Sequence, residues 1–265
     1  MSAWPKLGDY AERPDLESKV AAIDSEAKAA GLELVREVET KGESGTVYVV
    51  RSYRGMDRLG RPNWACRVAS PFGVIMALGP DAADASEPHE VVFEIDAGGS
   101  RLFASPGQLV AGGDPEVLLK NARGELAAWH LLARGASEIP VDLASPPTEL
   151  VELSNRELAL AAVVSAPPES DHPLALLRVA AFDGARFSDR APAARTFHEE
   201  EREAANVVPE TETAEARFDR RTRRAFHAIL AGEKKKDVAA AFSRDDVPPE
   251  LQSALKARAQ WLEKL

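Results

Sequence analysis

The chain has 265 residues, 45% of them apolar and 29% charged, and a net charge of −10 at pH 7. That length bounds it to one large domain or two small ones with room for a sizeable core, and the negative field opposes nucleic acid and anionic membranes. Cys66 is the only cysteine, which excludes an internal disulfide and argues against a thiolate metal site.

The opening "MSAWPKLGDYAERPDL" lacks a basic start followed by an apolar run, so no secretory signal is read there and a cytoplasmic location is expected. The stretch "PDLESKVAAIDSEAKAAG" predicts a first helix. Leu16, Val20, Ile23 and Ala27 recur at helical spacing, and Gly31 suits its end. The period then changes. "LELVREVE", "TVYVVRSY", "NWACRVAS", "GVIMALG" and "EVVFEIDA" are short, β-rich and bounded by turn residues. "IDAGGSRLFASP" adds a further hairpin arm. Strands joined by such short loops must run antiparallel, because a parallel return needs a long crossover. The first half therefore reads as an antiparallel meander with Trp64, Cys66 and Val68 on one face. Cys66 is expected in the core rather than as a reactive thiol.

The expected cover for this meander is a helix over 114–134. Asp114 serves as N-cap, Pro115 as first residue, and Leu118, Leu119, Ala122, Leu126 and Trp129 form one stripe. A Pro- and Ser-rich stretch follows, and then "ELVELSN", "ELALAAVVSA" and "LALLRVAAF" read as three more strands. The middle one contains the longest nearly uncharged apolar run, "LALAAVVSA". It is about half the roughly 20 residues that span a bilayer, so no membrane partner is expected. From 183 to 216 the chain is polar and reads as a linker. Amphipathic helices are predicted over 219–231, 234–242 and 249–263. The fold class is α+β: an N-terminal helix and antiparallel meander covered by helix 114–134, a second small β segment and a helical C-terminus. The domain reading is 1–140 as an α+β sheet domain, 141–197 as a second β segment packed on the first, 198–216 as an acidic linker, and 217–265 as basic amphipathic helices.

Charge is unevenly spread. From Arg217 to Leu265 there are twelve Lys/Arg against seven Asp/Glu, which leaves −15 on the remainder. On a helical wheel, Phe218, Ala225, Phe226, Ile229 and Leu230 share one side, while Arg220, Arg224 and His227 fall opposite. The arginines between 217 and 224 are therefore expected at solvent, and Phe218, Phe226, Ile229 and Leu230 in the core. A helix-turn-helix arrangement is the alternative. Its reading helix, "PELQSALKARAQWLEKL", has only Gln252 and Ser253 near its start to contact bases. Seven glutamates between 198 and 216 also compete with phosphate for the arginines. Nucleic acid is accordingly an unlikely partner.

The chain has no G-x-S-x-G elbow and no phosphate loop. No catalytic residue, cofactor or metal is assigned. His198 lacks the second histidine of a zincin, because Arg202 stands at that position, and it reads as a capping or solvated residue. His130 reads as structural on the flank of the covering helix, and His172 as part of a turn. The segment "YRGMDRLGRPNW" combines Tyr53, Arg54, Met56, Arg58, Leu59 and Arg61. That is the composition of protein-binding hot spots. The leading expectation is a non-catalytic protein-binding adaptor, chaperone or regulatory subunit whose partner is another protein. The alternative is a hydrolase-like enzyme with a dispersed site using His130, His172 or His198, and the third reading is a DNA-binding regulator.

Overall fold

The computed structural model describes residues 13–42, 44–57, 59–79, 87–92, 94–97, 100–103, 114–165, 174–244 and 247–265. They form an α+β fold. The chain divides into two compact units, Met1–Pro140 and Val141–Leu265.

In the first unit, α1 (Arg13–Ala29) leads into β1 (Glu33–Lys41), β2 (Val47–Met56), β3 (Pro62–Ser70) and β4 (Gly73–Leu78). The four strands form an antiparallel meander in chain order. Strand alternation sorts its side chains onto two faces. Tyr48, Val50, Cys66, Val68 and Met76 share a core with Val91, Val117, Leu119 and Leu131. Tyr53, Ala65 and Ala69 pack instead with Ile23 and Ala27 of α1 and with Leu32. β3 is thus buried on both faces, as expected of Cys66 and Val68, while Trp64 near its start is half-buried. Each fully buried large side chain contributes about 1.5–3 kcal/mol. Polar bonds add to the attachment of α1. Asp24 accepts bonds from Arg51 and from the Tyr53 hydroxyl, the latter at 2.7 Å. Burial works to raise the Asp24 pKa, but the bonds from Arg51 and Tyr53 win and hold it below its ordinary value. At the open edge, β1 carries a bulge between Leu34 and Arg36, and Leu34 and Val35 are exposed.

The rest of this unit is also β-structure. β5 (His89–Val91) is followed by the paired strands β6 (Glu94–Ala97) and β7 (Ser100–Phe103), and then by β8 (Glu116–Asn121), β9 (Leu126–Leu132) and β10 (Gly135–Glu138). The second four-stranded sheet has the order β10-β9-β8-β5. The helix expected over 114–134 is therefore a β-hairpin. Gly124 takes φ 81° in its turn, a left-handed conformation that glycine accepts and most residues avoid. Asn121 Oδ1 accepts from the backbone N–H groups of Arg123 and Glu125, both at 3.0 Å. Val117, Leu118 and Leu119 are all buried, which an apolar run achieves in a strand covered on both faces.

The second unit starts with β11 (Val141–Asp142), β12 (Glu149–Glu152), β13 (Leu158–Ser165), β14 (Ala175–Phe182) and β15 (Phe187–Ser188). The sheet order is β11-β15-β14-β13-β12, antiparallel except for the β11–β15 pair. Four helices follow: α2 (Pro192–Ala204), α3 (Ala214–Leu230), α4 (Lys235–Phe242) and α5 (Gln252–Lys264), the last preceded by a 3₁₀ turn at Pro249–Leu251. Ala159, Ala161, Val179 and Ala181 of the sheet pack with Ala191, Ala194 and Phe197 at and within α2. Phe218, Phe226 and Ile229 of α3 join Val238, Phe242, Leu255 and Leu262 in a second core.

The segment expected as an acidic linker, 198–216, is different. Its first seven residues belong to α2 and its last three to α3. The buried residues of α2 are Ala194 and His198 rather than large aliphatics, so composition alone conceals it. Between α3 and α5, Arg258 is fully buried. Its Nη1 donates to Asp219 at 2.6 Å and to Thr222 at 2.8 Å, and its guanidinium lies 4.3 Å from the Phe218 ring centroid.

Candidate functional site

The β2–β3 hairpin is built by one carboxylate. Asp57 Oδ1 accepts from the backbone N–H groups of Leu59 and Arg61, both at 2.8 Å, and Arg61 Nε donates to Oδ2 at 2.7 Å. The turn is closed by the Asp57 N–H to the Arg61 carbonyl at 2.9 Å and by the Gly60 N–H to the Asp57 carbonyl at 3.0 Å. The backbone bond from Arg61 is the main reason that the Asp57 pKa lies below the usual carboxylate value. These bonds hold the turn among its described residues, while Met56 is 62% and Leu59 76% exposed. Arg54 stacks over Trp64 at 5.2 Å, directly across the strand pair. A planar guanidinium held on an aromatic face retains its charge and its outward donors.

Of the six residues expected to bind a protein, this places Arg54, Met56, Leu59 and Arg61 together on the hairpin. Arg58 lies outside the described residues. Tyr53 is a correction: it is only 1% exposed and faces α1. It sits on the face of β2 opposite Arg54, because successive strand residues alternate. Burial, followed by the neighbouring Asp24 carboxylate, pushes the Tyr53 phenol up to about 12. Sequence composition did not reveal Asp57. Its signal is an Asp opening the tight "DRLGR" turn, where a short carboxylate reaches backbone N–H groups two and four residues on.

The arginines of α3 are partly committed. Arg220 makes two bonds to Glu212, at 2.8 and 3.1 Å, and Arg217 lies 3.7 Å from the same carboxylate. Arg217, Arg223 and Arg224 are exposed and Arg220 and Arg221 half-buried. Phe218, Phe226 and Ile229 are buried as expected, and Leu230 is half-buried.

The histidines differ most from expectation. His198, read as capping or solvated, is fully buried, and His227, placed on the arginine face, is 3% exposed. Their Nδ1 atoms meet at 2.8 Å. His198 Nε2 accepts from the Val179 N–H at 3.5 Å, which assigns the His198 proton to Nδ1 and makes His227 Nδ1 the acceptor. Burial is the main cause of both shifts: it carries His198 down to about 3, with help from His227 and Arg178, and His227 down to about 4, with help from Arg223. This neutral pair locks α2 to α3. His130 lies on β9, not on a helix, with Nδ1 3.4 Å from the buried Glu116. His172 is outside the described residues. Burial also raises the Cys66 thiol to about 12, so it is not thiolate at neutral pH.

Among the described residues no helix is long and apolar enough to cross a membrane, and no group of three or more His, Cys, Asp or Glu is placed to hold a metal ion. No family model, curated protein or solved structure matches the chain.

Proposed function

We propose that the chain is a protein-docking module, an adaptor or regulatory subunit that presents the β2–β3 hairpin to another protein. The observation that carries this reading is a turn held by its own hydrogen bonds while Met56 and Leu59 remain exposed at its tip. Apolar side chains on a flexible loop lose conformational freedom when they dock. On a pre-formed turn much of that loss has already occurred. Arg54 beside Met56 gives the apolar tip a cationic flank, while Arg61 beyond Leu59 is ion-paired with Asp57. The partner surface that complements it is an apolar pocket edged by Asp and Glu.

The test is affinity capture from native extract, followed by titration of the captured partner with purified variants. Leu59→Asp should reduce binding at least tenfold, as loss of a central anchor does, with the melting temperature unchanged. Leu132→Asp, at an exposed position on another strand, should bind as the native chain does. Equal binding by all three chains would remove the hairpin as the docking element.

A further inference from the structure

Three cavities lined by described residues of the second unit are separated by their charges. One of about 500 Å³ between α2, α3 and α4 balances Arg202, Arg221 and Arg224 against Glu203, Glu233 and Asp237. Another, of about 440 Å³, balances Arg220 and Arg223 against Glu201 and Asp219; Asp219 is also bonded to Arg258 and Arg220 to Glu212. The third, also about 440 Å³, is unbalanced. Arg178, Arg190, Arg195 and Lys235 line it, and Asp189 is its only carboxylate side chain.

Four separate segments bring these cations together: β14 supplies Arg178, the turn after β15 Arg190, α2 Arg195, and the first residue of α4 Lys235. The single acid is already engaged, because Arg178 reaches Asp189 Oδ2 through both Nε and Nη2 at 2.8 Å. That pair fixes one wall. Arg190, Arg195 and Lys235 have no ion-pair partner among the described residues, and all three are exposed. Three cations converging on a cavity whose one acidic side chain is already paired raise the local positive potential, which a bound anion offsets. α2 adds to the same potential, since it opens with no side-chain cap and no acid in its first turn. Ile229, Leu230, Gly232 and Leu265 complete the lining, and Leu265 also carries the main-chain carboxylate, a second negative group in this wall.

We infer that this cavity binds a small phosphate ester whose phosphate lies among Arg190, Arg195 and Lys235 and whose apolar body rests on Ile229 and Leu230. Three uncommitted cations favour a dianion over a monoanion. The volume suits a small molecule. This site is independent of the hairpin reading.

Titration calorimetry on the full chain with phenyl phosphate, inorganic phosphate and benzoate tests the assignment. Phenyl phosphate should saturate one site. Inorganic phosphate should bind roughly tenfold more weakly for lack of the apolar contact, and benzoate, a monoanion, should also bind more weakly. Arg195→Gln and Lys235→Gln should each reduce phenyl phosphate affinity about tenfold with the melting temperature unchanged. Lys256→Gln, outside the cavity, should leave affinity intact. Absence of saturable binding by phenyl phosphate, or an equal loss in the Lys256 variant, would overturn the site. Equal affinity for phenyl and inorganic phosphate would overturn the apolar floor.

Discussion

At the scale of single residues, two buried polar groups set how stability responds to conditions. His198 and His227 are neutral in the fold down to about pH 3 and 4, whereas in the unfolded chain each takes a proton near pH 6.5. The unfolded state therefore binds more protons below pH 6.5. Stability is undiminished above that value and falls as pH drops from 6.5 towards 4, by up to about 2.7 kcal/mol per pH unit where both are charged only in the unfolded chain. Denaturant melts at pH 5 and 6.5 measure this slope above the range in which most carboxylates titrate. The double variant His198→Leu, His227→Leu should flatten it, because both partners of the hydrogen bond leave together. Arg258 poses a different test. Its Nε and Nη2 make no hydrogen bond among the described residues, so its charge depends on Asp219, Thr222 and the Phe218 ring. Asp219→Ala strands that charge and should destabilise by about 3–5 kcal/mol. Arg258→Met, which removes the charge itself, should lose far less. A comparable loss in both variants, read by urea unfolding, would show that packing rather than charge governs the site.

At the scale of elements, the meander was readable from residue alternation because its strands mix apolar with polar positions. Tyr48 and Val50 face one core and Tyr53 the other, with turn residues between runs. The β8–β9 hairpin was not readable in this way. Its consecutive Val117, Leu118 and Leu119 match a helical stripe as well as a strand buried on both sides, and the spacing to Leu126 and Trp129 completes a false helix. The deciding signal was Asn121 followed three residues later by Gly124, and it is a local one. Gly124→Ala should accordingly destabilise the hairpin by about 1–2 kcal/mol, although its new Cβ would meet nothing closer than Lys120 Cε at 3.9 Å. An unchanged denaturation midpoint would show that the turn does not need the left-handed residue. In the second unit, the wheel of α3 separated most arginines from the buried aromatics. It placed His227 wrongly because a wheel does not show that α2 carries a histidine on its buried face. Of the residues read as a docking surface, Arg54, Met56, Leu59 and Arg61 do lie together on the hairpin. Tyr53 does not, and composition does not distinguish the two faces of a strand.

At the scale of the whole molecule, the two units each contain their own cores, and the chain carries its net negative charge across both. What protects such a chain from itself is visible in β1. An edge strand offers a row of unpaired backbone groups to any other strand it meets, and β1 also exposes Leu34 and Val35. Two features oppose self-templating. The bulge at Leu34–Arg36 interrupts the ladder, and Glu33, Arg36, Glu37, Glu39 and Lys41 place charge along almost the full strand. The bulge and charges at this edge discourage strand-to-strand accretion into fibrils. Replacing Glu39 and Lys41 together by Val should leave the secondary structure intact while concentration-dependent association beyond that of the native chain appears in sedimentation velocity and thioflavin-positive material forms on standing. A double variant that sediments as the native chain does at every concentration would assign that protection to the bulge. Association in the double variant would give the polar residues of β1 a role of their own: they hold at four strands a sheet whose edge could otherwise accept more.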